Sequence, residues 1–226
     1  MTTRPAGTVL FGDVVASGRD PGSTAWLRAL RTELDATFPG ERRLAPFAFT
    51  QGDELQGLLA PTEDPFVAVM RAALEPDARA LRWAIVWGDV DPGTGPATER
   101  TGPAFRAARD TLAELRTRRD GLKAITGDPH ADALLDDLGP LLTELLDRLT
   151  VRQREVGRLL IVEDLSQSEA AGCLGVSRAT VSVMADRAAI RHLQRLARTL
   201  AGIFRDGVAR SARSGVDVVT AGGGAR

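Results

Sequence analysis

Apolar positions in the first half of the chain switch period repeatedly between that of a strand and that of a helix. Thr8–Phe11 with Val14 and Val15 is a short apolar run broken by Gly12 and Asp13, which reads as a strand ending in a loop. Trp26, Leu27, Leu30, Leu34 and Phe38 then recur at helical spacing until Pro39-Gly40 stops them. Phe47–Thr50 and Leu55–Leu59 flank Gln51-Gly52-Asp53-Glu54 as the two strands of a hairpin. A second helix over Phe66–Leu74, a strong strand over Leu81–Val90 and a third helix over Pro103–Arg118 follow, with a short strand at Ala124–Thr126. The order β-α-β-β-α-β-α predicts an α/β sandwich of ferredoxin-like or palm-like plan, an antiparallel sheet with helices on one face.

Beyond Asp128-Pro129 the pattern is helical. Leu134, Leu135, Leu138, Leu141, Leu142, Leu145, Leu146 and Leu149 form a stripe that Gly139-Pro140 is expected to kink or divide. Thr150 caps the helix after it. Residues 166–187, SQSEAAGCLGVSRATVSVMADR, have the spacing of a helix-turn-helix. Ala171 is the small residue at the helix crossing, Gly175 the turn glycine and Val181 the β-branched residue, while Leu174, Val176 and Met184 form an apolar plug. Ser177 caps the second helix, Arg178, Ala179 and Thr180 open it, and Ser182 and Val183 share its face. Arg187 is positioned to meet phosphate. An ordinary αα-hairpin is the competing reading. Leu193, Leu196, Leu200 and Phe204 continue as a stripe longer than one small domain needs, which either packs on the helix at 131–148 or, at least as readily, joins a homodimer through the helical half.

The fold class is therefore α+β, with an all-α helix-turn-helix domain last. The expected divisions are 1–128 for the sandwich, 129–149 for a connecting helix, 150–206 for DNA binding and dimerisation, and 207–226 for a disordered tail. Charge sharpens this division. Residues 1–149 carry 17 basic and 23 acidic side chains, whereas 150–213 carry 11 arginines and 6 acids. A near-neutral whole thus hides a basic back half suited to double-stranded DNA. The single cysteine, Cys173, is placed near the buried side of the motif and excludes an intrachain disulfide or zinc cluster. No apolar run reaches transmembrane length, so the expectation is a cytoplasmic protein with no membrane partner.

The chemistry lies in the front half. Asp13 follows the first strand and Asp53 sits at the hairpin tip, so the two carboxylates converge at one sheet edge as candidate Mg²⁺ ligands. Val14, Ser17, Gly52 and Glu54 surround them as candidate nucleotide-binding positions, although a turn alone would also favour Gly and Asp. FGDVVAS at 11–17, TQGDELQG at 50–57, LRWAIVWGDV at 81–90 and TGPAFRAARDTL at 101–112 resemble, in order, motifs of the class III nucleotidyl cyclases. The front half resembles the SatD family of cyclase-like proteins still more. That resemblance implies metal binding by Asp13 and Asp53, a transition-state arginine at Arg109, and a purine nucleotide, ATP or GTP, bound with Mg²⁺. Phe105 stands where the cyclases have asparagine, and Thr50 and Gln51 stand where they have a base-recognising lysine. Loss of such donors disfavours turnover. The expected function is a DNA-binding transcriptional regulator that senses a nucleotide. An active cyclase or nucleotidyl transferase and an inert scaffold are the alternatives.

Overall fold

Alternation along β1 (Ala6–Val14) sends Leu10 and Val14 to one side and Val9 and Phe11 to the other, and all four are buried. Both faces of this strand therefore need cover. The chain is described by a computed structural model over residues 5–15, 21–50 and 53–214. β1 is the centre of a five-stranded sheet with β2 (Arg43–Phe49), β3 (Glu54–Leu59), β4 (Leu81–Asp89) and β5 (Leu122–Ile125), in the order β2-β3-β1-β4-β5. β1 is antiparallel to both neighbours, and β4 is parallel to β5, so the sheet is mixed rather than purely antiparallel. Gly57 in β3 is required by its neighbour, because the Phe47 ring occupies the space a Cβ would take.

Helices cover both faces, which corrects the one-face expectation. α1 (Pro21–Thr37) and α2 (Phe66–Ala73) pack with Leu10, Leu59 and Ile85 on one side. α3 (Pro103–Arg118) packs with Val9, Phe11, Ala84 and Val86 on the other. The β1-to-β2 and β4-to-β5 connections cross the sheet in opposite directions between oppositely pointing strands, so equal handedness would put their helices on one face. Lying on opposite faces, α1 and α3 make crossovers of opposite hand, against the strong general preference for one hand. The apolar underside of β1 and β4 is what α3 buries.

α4 (Pro129–Asp147) begins at Asp128, whose carboxylate accepts from the Ala131 amide at 2.8 Å. It runs undivided through Gly139-Pro140. It is also no free connector, because Leu135, Leu142 and Leu146 are buried and Gly139 lies against Leu122 of β5. Leu134, Leu141 and Leu145 remain exposed on its outer face. α5 (Val151–Gly157) is followed by a π-helical turn at Arg158–Val162, then by α6 (Gln167–Leu174), α7 (Arg178–Arg187) and α8 (Ile190–Ser214).

α8 overturns two expectations. Leu193, Leu200 and Phe204 are buried inside the chain, with Phe204 meeting Phe66 of α2 edge-on at 6.2 Å, so this stripe needs no second copy to cover it. Residues 207–214, expected in a disordered tail, are helical; residues 215–226 lie outside the described residues. One apolar core runs from the α1/α2 face of the sheet through α4 and α8 to Val156, Ala170 and Val181. Among the described residues no helix is long and apolar enough to cross a membrane.

Candidate functional site

Asp13 is odd-numbered on β1, like Val9 and Phe11, so it shares their side of the strand, under α3. Register places Glu54 of β3 on one side of it and Arg82 of β4 on the other, making an acid-acid-arginine row across three strands. Arg116 of α3 closes over the row. Its Nε donates to one oxygen of Asp13 at 3.0 Å and its Nη2 to the other at 2.7 Å, and it lies 3.6 Å from Glu54. Arg82 stands 3.5 Å from Asp13. Hydrogen bonding to Asp13, with the charges of Asp13, Glu54 and Asp53, holds the Arg116 guanidinium above its ordinary value.

At this edge it is Arg116, rather than the Arg109 expected from the sequence, that meets the Asp13 carboxylate. Arg109 is exposed and precedes Arg116 by two helical turns on the same side of α3, about 10 Å along the axis. Phe105, which stands where the cyclases carry asparagine, is buried against Phe11 with ring centroids 6.0 Å apart. Its role is to seat α3 on the sheet. Val14 is buried and turned away from Asp13 into the opposite core, while Ser17 and Gly52 lie outside the described residues. Arg116 was detectable in the sequence as the arginine seven residues beyond Arg109, hence on the same helix face.

The fit to Mg²⁺ is poor in this arrangement. Both Asp13 oxygens already accept from Arg116, and no group of three or more His, Cys, Asp or Glu side chains among the described residues is placed to hold a metal. A divalent ion needs open carboxylate oxygens at short range, so it would have to displace the guanidinium.

The second candidate is the pair α6 and α7. Ser166 and Glu169 cap α6 reciprocally, and Ser177 caps α7 by accepting from the Thr180 amide at 3.1 Å. Gly175 between the helices has φ 63° and ψ 34°, the left-handed conformation that favours glycine at a helix end. Ala170, Ala171, Val181 and Ala185 are buried where the helices cross, as the motif requires. The opposite face of α7 points outward: Arg178, Ala179, Thr180, Val183 and Arg187 are exposed and Ser182 is half-buried. Val183 is 49% exposed. Cys173, expected near the buried side, is exposed.

The sheet domain and these helices meet through charge as well as apolar contact. Arg158, in the π-helical turn, donates to Glu33 of α1 at 3.0 Å and to Glu75 just beyond α2, and Arg71 donates to Glu33 at 2.8 Å. Burial works against the Glu33 charge, but hydrogen bonds from Arg71, Glu75 and Arg158 hold it below the ordinary value. Burial and the hydrogen bond with Glu33 push Glu75 up to about 7. Sequence reading assigned none of these four residues a role. In comparison with known proteins, no family model, no curated protein and no solved structure matches this chain.

Proposed function

We propose that this chain is a DNA-binding transcriptional regulator in which α6 and α7 act as a helix-turn-helix and α7 enters the major groove. The observation that carries this reading is the division of α7 into a buried face at Val181 and Ala185 and an exposed one at Arg178, Ala179, Thr180, Val183 and Arg187. An arginine at the N-terminal end suits a guanine edge, and an exposed valine one turn on suits a thymine methyl. The arginine excess of residues 150–213 supplies the phosphate attraction. Selection of binders from a pool of random duplexes, followed by titration of the enriched site, tests the proposal. Arg178→Ala should cost about 1–3 kcal/mol at that site and less on unrelated DNA. Equal loss on both would reduce Arg178 to a phosphate contact, and no enrichment at all would remove the function.

The sheet domain is read as the sensing half, with a purine nucleotide at the Asp13 and Asp53 edge as its proposed signal; Mg²⁺ would join it there only by displacing Arg116 from Asp13. That edge sets Arg82 and Arg116 against Asp13 and Glu54, and Arg116 is 48% exposed, within reach of a phosphate. An enzymatic role has weaker support, because Asp13 is engaged by Arg116 and Arg109 stands about two turns away. Calorimetry with ATP and GTP, each with and without Mg²⁺, tests the signal. Two copies of the regulator would suit a two-fold operator, and the exposed leucines of α4 are the surface proposed to join them.

A further inference from the structure

A cavity of about 320 Å³ lies between α2, the π-helical turn and α8, away from both candidate sites. Its walls are apolar: Phe66, Val67 and Met70 from α2, Ile161 and Val162 from the turn, and Ala197 from α8. Two features of the sequence keep it open. The turn is wound one residue wider than an α-helix, with the Glu163 amide donating to the Arg158 carbonyl at 3.0 Å, and none of its four consecutive aliphatic residues is fully buried. Opposite it, α8 presents the small side chain of Ala197. A second cavity of about 220 Å³ adjoins the first through the shared residues Ile161 and Gln194.

The polar groups at this cavity are few, and all but Asp64 carry donors. Gln194 and Arg198 are one turn apart on α8, hence on one helix face, and among the described residues neither has a hydrogen-bond or ion-pair partner. Arg71 also lines the cavity, and its buried Nε has no hydrogen-bond partner while its Nη1 is held by Glu33. The one acid in the wall, Asp64, is already used, since it accepts from the Phe66 amide at 2.9 Å. Unpartnered donors beside a half-open apolar groove suit an anionic group on an apolar body. A carboxylate accepts from both a guanidinium and an amide. The volume holds roughly ten groups of water's size, which matches a medium-length chain or an aryl acid and falls near the lower bound of small-molecule sites.

We propose that this cavity binds a small amphipathic carboxylic acid, its carboxylate on Arg198 and Gln194 and its apolar body between Met70 and Ile161. The proposal does not depend on what α7 contacts. Octanoate titrated into the full chain labelled at its methionine methyls tests it, because Met70 lines the cavity and Met184, in α7, does not. The Met70 signal should shift saturably and the Met184 signal should stay. Octylamine, with the same body and opposite charge, should bind at least tenfold more weakly. Arg198→Glu, an exposed change that leaves the core alone, should weaken octanoate at least tenfold, and Gln194→Ala should weaken it less. Ala197→Leu should fill the chamber and abolish the Met70 shift. The idea is overturned if octanoate gives no saturable Met70 shift into the millimolar range. It is equally overturned if octylamine binds as well, or if Arg198→Glu changes nothing.

Discussion

Arg116 donates to both oxygens of Asp13, and the two residues are 103 positions apart in the chain. The pairing follows from register, because Asp13 lies on the α3 side of β1 and Arg116 lies one turn past Leu112, which packs on that side of the sheet. It also makes the edge self-neutralising, with Arg82 and Arg116 set against Asp13 and Glu54.

Removing that guanidinium should expose the acids to each other. Arg116→Ala leaves Asp13 and Glu54 facing across two strands while only 16% and 20% exposed, so stability should fall by about 1–2 kcal/mol. Millimolar Mg²⁺ should then raise the melting temperature of the variant more than that of the wild type, because the ion would take the vacated position. An equal response to Mg²⁺ in both proteins would show that these carboxylates do not form a divalent site even when freed.

The physical basis of each sequence inference decides how far it carried. Local signals held: the Thr150 and Ser177 caps, Gly175 in the left-handed turn, and buried Ala171 and Val181 all depend on neighbours within a few residues. The convergence of Asp13 with the Asp53-Glu54 corner was legible because adjacent strands bring their ends together. What failed needed long-range packing. The α8 stripe suited either packing on the helix at 131–148 or a dimer seam, and nothing local decides between them; α4, together with α2, covers it. Arg109 was favoured over Arg116 by motif spacing, although the two share a helix face and only the distance along α3 separates them. Placing every helix on one side assumed uniform crossover handedness, which α3 breaks.

Val183 offers a sharper test of the α7 surface than an arginine does, since it contributes no charge to non-specific binding. At 49% exposure, Val183→Glu should leave the unfolding free energy within about 0.5 kcal/mol of wild type. Introducing a carboxylate beside bases and phosphates should nevertheless weaken a selected duplex at least tenfold. Retained affinity in a fluorescence-anisotropy titration would mean that this face of α7 does not meet DNA.

The outer leucines of α4 should decide the assembly state. Leu134, Leu141 and Leu145 are 36%, 47% and 38% exposed and fall at spacings of seven and four, the arrangement of a helix-pairing seam. Sedimentation should show a concentration-dependent dimer that Leu141→Glu shifts to monomer. Leu196, half-buried on α8, should be less sensitive, because its neighbours Leu193 and Leu200 face inward. A monomer at all concentrations in the wild type would retire the seam.

The Glu33–Glu75–Arg158 cluster predicts a pH dependence at the junction between the sheet domain and the helical half. Glu75 is an acid raised in the fold from 4.5 to about 7, so the folded chain holds its proton more tightly than the unfolded chain does. Its stabilising protonated form is fully present below the unfolded value near 4.5 and is lost as pH rises toward 7. Glu33 has the opposite sign: its charge stabilises the fold above the ordinary glutamate range, and that contribution is lost as pH falls through its lowered value. In the window between 4.5 and 7 the pair therefore responds mainly through Glu75. Glutamine mimics the protonated acid, so Glu75→Gln should match wild type near pH 5 and exceed it by about 1 kcal/mol near pH 8, a figure reduced for partial solvent access. Denaturant unfolding of both proteins across this range measures the difference. A gap that stayed constant with pH, or that widened toward acid, would show that Glu75 does not hold the proton of the pair.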